Sequence, residues 1–527
     1  MSAAVIDCSR PTDLPIATIS AAPSLLRRIR TFVGTPVGGV VLLVIITTAA
    51  RIALACALGL GIDESYMVAA GRTLRLGYFD HPPAAWWLAW SGAHLFGSDA
   101  ALFVRLPFVA LFALSTVLMY RLSADLFGAR AGLWAAVMFN AAPIFGIAVG
   151  CWVLPDGPLV AALLGAVLCL RAALASPDRP SWGWWIGAGL CAGLALFSKY
   201  TAILTLAGAF LYLVSEPHAR KSLTRPQPWI AALIAFAVFT PVLVWNAQNG
   251  WASLLFQLGR AGSSRFHPFG PLSTLAGEAA FLLPWIWLPM MVLAIAALRR
   301  GPRDRKSWLL ICLAAPPILL FLALSVRSHI LFHWAAPGYL MLFPLLGEAI
   351  ARLRHRRKLV HLYLGFTALV VGAGAALVGT EVRYNWLPDV VEHFALGSDP
   401  DLDAVDWTSV RDDLTARGLL DPTLIVATTR WHDAGKIDYA LGGNQVICLG
   451  SDAREYGLIT NSAELLGRDM LILAPRETIT EIRAQFGAAF DSIGELPSST
   501  VAHGGRPAMI MPIFIGRRYH PAAAPHA

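Results

Sequence analysis

Apolar runs of roughly 20 residues recur along the first 380 positions, and they leave this chain little choice of fold. Each is long enough to cross about 30 Å of hydrocarbon as a helix. Hydrocarbon offers no partner to a backbone N–H or C=O, so such runs must satisfy these groups internally, as α-helices do. Eleven spans are expected, near 36–60, 101–121, 131–149, 158–175, 182–198, 201–215, 229–247, 274–298, 307–325, 334–350 and 359–380. The chain is 57% hydrophobic and 14% charged, outside the usage of soluble domains, and its 18 Trp suit interfacial belts.

The net charge of +8 would suggest nucleic acid in a soluble protein. Here the cations sit in alternate short loops, which is a topology signal instead. With the N-terminus inside, the inner loops carry Arg121 and Arg130, Arg171 and Arg179, then Arg220, Lys221 and Arg225. The next two carry Arg299, Arg300, Arg303, Arg305 and Lys306, then Arg352, Arg354, Arg356, Arg357 and Lys358. Residues 1–35 are expected to be a polar cytoplasmic tail without a cleavable signal peptide, since the first long apolar run is too long and lacks a small-residue cleavage pattern. Residues 36–380 form the membrane domain. The seven cysteines suggest neither a disulfide framework nor a zinc site.

Residues 381–527 are more polar, with β-like runs at Leu424–Thr428, Gln445–Leu449, Met470–Ala474 and Ala508–Ile515. They predict one small α/β domain, placed outside the membrane by the odd number of spans. The fold class expected is thus a polytopic α-helical membrane protein, with short interfacial helices in the first outer loop and a C-terminal α/β extracytoplasmic domain.

That orientation collects the costly charges on one face. Asp63, Glu64, Asp80, His81, Asp156, Lys199, Arg260, Arg265, His267, Arg327, His329 and His333 all fall in outer loops or at outer span ends. Ionisable residues that several spans bring to one side of a bilayer suggest a shared cavity. Each also has a bland reading. Asp63 suits the N-cap of a helix running to about Leu74, and Asp156 that of the fourth span. Lys199 suits a snorkelling anchor, and Arg260 and Arg265 suit lipid headgroups. His329 and His333 have the spacing of a metal pair without a suitable carboxylate nearby. Trp86, Trp87 and Trp90 read as the lipid-facing side of an interfacial helix.

Taken jointly and in order, the motifs carry a resemblance. Asp63-Glu64-Ser65-Tyr66, Gly77-Tyr78-Phe79-Asp80-His81-Pro82-Pro83 and Arg105-Leu106-Pro107 resemble the first outer loop of bacterial family-39-like membrane glycosyltransferases. These belong to the C-type glycosyltransferase superfamily, with protein O-mannosyltransferases and lipid A aminoarabinose transferases as relatives. Pro155-Asp156-Gly157-Pro158, Phe197-Ser198-Lys199-Tyr200-Thr201 and His333-Trp334-Ala335-Ala336-Pro337 are similar to that family too. The resemblance covers about residues 36–380. It implies a polyprenyl-phosphate sugar donor, Asp63 as catalytic base, Glu64 beside it in the acidic motif, Asp156 as a second acid, and Lys199 on the donor phosphate. One departure stands out: aminoarabinose transferases carry Phe-Glu-Lys-Pro where this chain has Phe79-Asp80-His81-Pro82. Exchanging a permanent cation for His81 makes that phosphate contact pH-sensitive.

The expected reaction is a single inverting displacement at the outer face of a bacterial inner membrane. A sugar passes from its polyprenyl phosphate to a hydroxyl of an envelope lipid, glycan or protein. Asp63 would take the acceptor proton. Lys199 with Arg260 or Arg265 would stabilise the leaving phosphate, and Tyr66, Asp80 and His333 would line the substrate cavity. No cofactor is required; Asp63, Glu64 and Asp80 could hold a divalent cation, which the mechanism does not need, so no metal site is predicted. Membrane lipid is a partner and nucleic acid is not. A lipid-linked-sugar flippase would place its charges deeper, on broken helices or matching halves. A non-catalytic scaffold would leave the clustered acids and bases without a role.

Overall fold

The computed structural model describes residues 31–175, 181–260, 266–386, 405–421, 424–443, 446–503 and 506–520. Arg179, Arg265, Gln445 and most of the N-terminal tail lie outside the described residues.

Helix α1 (Pro36–Ala57) begins at Thr35, whose hydroxyl accepts the Gly38 N–H, with Pro36 in the first turn where its missing donor costs nothing. Then come α2 (Ile62–Ala70), α3 (Ala84–Phe96), α4 (Ala101–Phe127), α5 (Ala129–Ala141), α6 (Asp156–Leu174), α7 (Trp182–Ser198) and α8 (Ala202–Ser215). After a short turn follow α9 (Pro226–Gln248), α10 (Ala252–Gly259), α11 (Gly270–Leu282), α12 (Pro284–Arg300) and α13 (Arg305–Leu324). Helices α14 (Ala336–Leu340), α15 (Phe343–Arg352) and α16 (Arg357–Tyr384) close the bundle. Among the described residues, six helices are long and apolar enough to cross a membrane: α1, α4, α6, α9, α13 and α16. Counting two bent pairs as spans gives eight.

Several of the eleven expected spans are therefore shorter or broken. The 131–149 run divides into α5 and a π-helical stretch, Ile144–Val149. Arg51, buried on α1, explains the break: it donates to the Gly146 carbonyl and to Asn140, both at 2.9 Å. A Cβ at Gly150 would stand 2.5 Å from Arg51 Nε, so this approach needs glycine. The 274–298 run bends by 115° between α11 and α12, where Leu283 takes φ 72° ahead of Pro284. The 334–350 run splits into α14 and α15.

The C-terminal part holds α17 (Thr408–Ala416), β1 (Ile425–Thr428), α18 (Trp431–Leu441), β2 (Val446–Cys448), α19 (Glu455–Ile459), β3 (Met470–Leu473), α20 (Ile479–Phe486), β4 (Phe490–His503) and β5 (Arg506–Tyr519). The sheet order is β2-β1-β3-β5-β4, with β2, β1 and β3 parallel and β5 antiparallel to both β3 and β4. All four β-like runs contain strands; β4 is an additional one. Its polar residues and Pro497 hide an edge strand from an apolar pattern.

This sheet unit does not stand apart from the bundle. Helix α18 lies on α2 so closely that a Cβ at Gly435 would be 2.7 Å from Tyr66 Cα. Tyr66, Met67, Tyr78, Trp86 and Val104 share one apolar core with Ile437, Tyr456, Leu471 and Met511. Trp86 accordingly differs from its expected lipid-facing position. It is fully buried and stacks on Tyr78 with ring centroids 4.4 Å apart, because the C-terminal unit covers the loop that carries it.

Candidate active site

Asp63 and Glu64 are neighbours on α2 with opposite surroundings. Glu64 is buried and accepts hydrogen bonds from Arg105 Nε at 2.8 Å, Arg105 Nη2 at 2.5 Å, the Val153 N–H at 2.9 Å and the Gly61 N–H at 2.9 Å. Arg105 also donates to the Leu58 and Gly59 carbonyls, closing the end of α1. The helix starts at Ile62, with Gly61 as N-cap, so the capping expected of Asp63 is performed by Glu64. Asp63 keeps a solvent-accessible carboxylate that accepts no hydrogen bond from, and forms no ion pair with, any described residue. Its access is to a recess rather than open water. Burial pushes its pKa up, the cations Arg454, Arg260 and Lys199 pull it down, and Glu64 adds to the rise.

Asp156 opens α6 and is buried against Lys199 at the end of α7, whose ammonium lies 3.0 and 2.8 Å from the two carboxylate oxygens. The snorkelling expected of Lys199 is thus replaced by an inward ion pair. His333 and His81 stand in the field of both charges. Burial, with Lys199 adding to it, lowers the His333 pKa to about 4 and holds His81 well below the ordinary imidazole value. Both rings are neutral at pH 7. His81 Nδ1 is buried without a partner among the described residues. His329 and His333 lie in a non-helical segment, so their spacing does not place them on one face, and His329 borders a different cavity with His267. Among the described residues, no three His, Cys, Asp or Glu side chains gather as a metal site would require.

Arg260, at the end of α10, lies over the Trp334 ring with its guanidinium carbon 4.5 Å from the centroid. Its pKa is lowered by burial and by the like charge of Arg454, while Asp80 and Asp63 oppose this. Asp80 is buried; it accepts from Tyr66 Oη at 3.3 Å and from Arg454 Nη1 at 2.7 Å, and its carbonyl accepts from Gln257. Burial pushes the Asp80 carboxyl up to about 6 against the pull of Arg454.

The structure thus brings Asp63, Asp80, His81, Asp156, Lys199, Arg260 and His333 into one electrostatic cluster, with Tyr66 on its rim. Arg454 was missed by sequence reasoning. It comes from the C-terminal unit, more than 370 positions from Asp80, and the stretch Asp452-Ala453-Arg454-Glu455 carries no motif that would single it out. Beside the cluster runs a groove of about 1200 Å³ lined mostly by apolar side chains. Trp87, Phe197 and Ser198 mark its end next to Lys199, and Arg121, Asp125 and Arg171 its other end.

Residues 80–245 match the family described as dolichyl-phosphate-mannose-protein mannosyltransferase. The chain is 24% identical over 290 residues to the lipid A galacturonosyltransferase RgtD of Rhizobium johnstonii, spanning 53% of this chain and 58% of that protein. It is 29% identical over 273 residues to the undecaprenyl phosphate-alpha-4-amino-4-deoxy-L-arabinose arabinosyl transferase of Erwinia tasmaniensis, spanning 47% of this chain and 46% of that one. The chain thus spans about half the length of these curated relatives. It superposes on the crystal structure of ArnT from Cupriavidus metallidurans in the apo state with a TM-score of 0.61 at 16% identity, covering 90% of this chain and 98% of the other. The same protein bound to undecaprenyl phosphate gives a TM-score of 0.58 at 16% identity. The fold is therefore that of a polytopic membrane protein of the ArnT type.

Proposed function

We propose that this protein is an inverting glycosyltransferase that moves a sugar from a polyprenyl-phosphate donor to a hydroxyl of an envelope lipid, glycan or protein. One observation carries the reading. Of the four acids Asp63, Glu64, Asp80 and Asp156, Asp63 alone has a carboxylate that no described donor engages, and it faces the cations Lys199 and Arg260. A base must have free lone pairs and remain ionised, whereas an acid already held by an arginine or lysine is committed.

In the proposed step Asp63 accepts the proton of the acceptor hydroxyl as its oxygen attacks the anomeric carbon. The bond to the donor phosphate breaks on the opposite side, and the phosphate leaves with its electron pair. Arg260 and Lys199 face the oxygens on which charge grows, in surroundings where low dielectric strengthens each contact. Arg260 suits a two-point grip on phosphate, and Lys199 acts as a point charge whose partner Asp156 fixes its position. Neutral His81 supplies a hydrogen bond rather than a second cation. The apolar groove ending at Ser198 offers a course for the prenyl chain, and the undecaprenyl phosphate of the Cupriavidus protein with the same fold supports that donor class.

The same reading proposes an inner-membrane protein with its N-terminus in the cytoplasm, eleven spans that include the short and bent helices, and the 381–527 unit on the far side. Arg265 is proposed as a further phosphate cation. The deciding experiment is transfer by purified Asp63→Asn protein. Activity should disappear while undecaprenyl phosphate still binds; near-normal transfer would remove Asp63 as base.

A further inference from the structure

Arg454 has a combination of features that packing alone does not explain. Its backbone takes φ 47° and ψ −128°, a conformation unfavourable for any residue with a Cβ. Strain of this kind persists only where surrounding contacts over-determine it, and it concentrates at functional sites. Those contacts are visible. The guanidinium carbon lies 3.5 Å from the Trp431 ring centroid and 5.3 Å from that of Phe256, with Trp431 on the C-terminal unit and Phe256 on α10. Nη1 donates to Asp80 at 2.7 Å, while Nε is buried, 3.7 Å from Asp452, and donates no hydrogen bond to a described residue.

The next residue completes the clasp. Glu455 accepts the Phe79 N–H at 2.8 Å and pairs with Arg75 at 3.5 Å, and its own N–H donates to Tyr66 Oη at 3.2 Å. Tyr66 Oη in turn meets Asp80. Arg454 and Glu455 therefore hold both α2, which carries Asp63, and the Phe79-Asp80-His81 turn beside it.

We propose that Arg454 is a positioning residue of the transfer site: delivered by the C-terminal unit and clamped by Trp431 and Asp80, it fixes the Phe79-Asp80-His81 turn and supplies the cation opposite Asp63. The proposal rests on the reading of Asp63 as base. The charged groups acting on Asp63 are Glu64 on its own helix, Asp80 in the following turn, Lys199 at the end of α7, Arg260 at the end of α10 and Arg454. Burial drives Asp63 toward its neutral form, and Arg454 is the largest charge opposing this. Lys199, positioned by its ion pair with Asp156, and Arg260 are the cations assigned to the donor phosphate, which leaves Arg454 to Asp63. The 381–527 unit, on this view, completes the site rather than covering it.

The test reads Asp63 directly and does not require the sugar. A carboxyl-directed carbodiimide adds to the protonated acid, so labelling of the Asp63 peptide against pH, followed by mass spectrometry, reports its ionisation in the purified full-length protein. Arg454→Gln should raise the labelling midpoint by about one pH unit or more, while Arg454→Lys should keep it nearer the native value. Undecaprenyl phosphate, as probe, should bind the Arg454→Lys variant as it binds the native protein. An unchanged midpoint in Arg454→Gln overturns the proposal, as does loss of undecaprenyl phosphate binding in Arg454→Lys. Should Arg454→Gln not fold, Trp431→Leu decides. Removing that ring unclamps the guanidinium, so the Asp63 midpoint should rise, and an unchanged midpoint overturns the proposal. Failure of Asp63 as base would appear separately, as transfer surviving in Asp63→Asn.

Discussion

Arg105 grips both carboxylate oxygens of Glu64, at 2.8 and 2.5 Å, with the two side chains only 1% and 5% exposed. One position away, Asp63 has no such partner among the described residues. Two acids adjacent in sequence thus divide into a structural anchor and a carboxylate that no described donor engages, because successive residues of a helix point in directions about 100° apart. Breaking a buried ion pair strands a charge, at a cost of about 3–5 kcal/mol. Arg105→Met should therefore lower the unfolding temperature of the detergent-purified protein sharply, whereas Asp63→Asn should leave it unchanged or raise it. Equal unfolding temperatures for Arg105→Met and the native protein would contradict the anchoring role.

Lys199 and Arg260 are expected to act on the donor. A hydrogen bond to a charged group contributes about 1.5–3 kcal/mol, so Arg260→Ala should weaken undecaprenyl phosphate binding by about tenfold to a hundredfold. Lys199→Ala should weaken it too and also destabilise the protein, since it strands Asp156. Lys199→Ala with Asp156→Asn should recover stability without recovering binding. Calorimetric binding and thermal unfolding of the three proteins separate the two effects.

The acid side of the pH profile should come from carboxylates. Asp80, pushed up to about 6 by burial, loses its charge and its ion pair with Arg454 as pH falls through that value. Transfer should decline there, and Asp80→Asn should remove this limb together with much of the activity. The sign for stability is opposite. The folded state keeps a proton on Asp80 that the unfolded chain, with its ordinary value of 3.8, releases. Its contribution is therefore full below 3.8 and is lost as pH rises through about 6.

The two site histidines should be silent between pH 6 and 8, because burial keeps His333 at about 4 and His81 well below its usual value. His333→Gln and His81→Gln should alter the transfer rate without changing the shape of the profile in that range. A limb near 6.5 that vanishes in either variant would show that ring to be charged.

The contact of α18 with α2 sets the position of Arg454. Gly435→Leu must separate them, since even a Cβ there meets Tyr66 at 2.7 Å. Overpacking of this kind costs about 1–3 kcal/mol. Transfer should fall more than stability does, and charge-reversal variants at Arg454 and Asp80 should show no further coupling in that background.

The bundle, its polar C-terminal sheet unit and the candidate charges Asp63, Asp80, His81, Asp156, Lys199, Arg260 and His333 were legible in the sequence, whereas His267 and His329 border a different cavity. Hydropathy, loop cations and motif order are local properties, and a bilayer enforces them segment by segment. Length alone misjudged the 131–149 and 274–298 runs, where Arg51 and Leu283-Pro284 break the helices. The roles within the charge list depended on tertiary structure. By residue type Asp63 and Glu64 are alike and only the resemblance separated them, whereas in the structure Arg105 and Val153 claim Glu64; Lys199, whose bland reading was an anchor, is turned inward by Asp156. Arg454 gave no sign at all, because its place in the site comes from packing between α18 and α2 across hundreds of residues. Burial and charge pairing are long-range quantities, and they decide which of several similar side chains stays free to react.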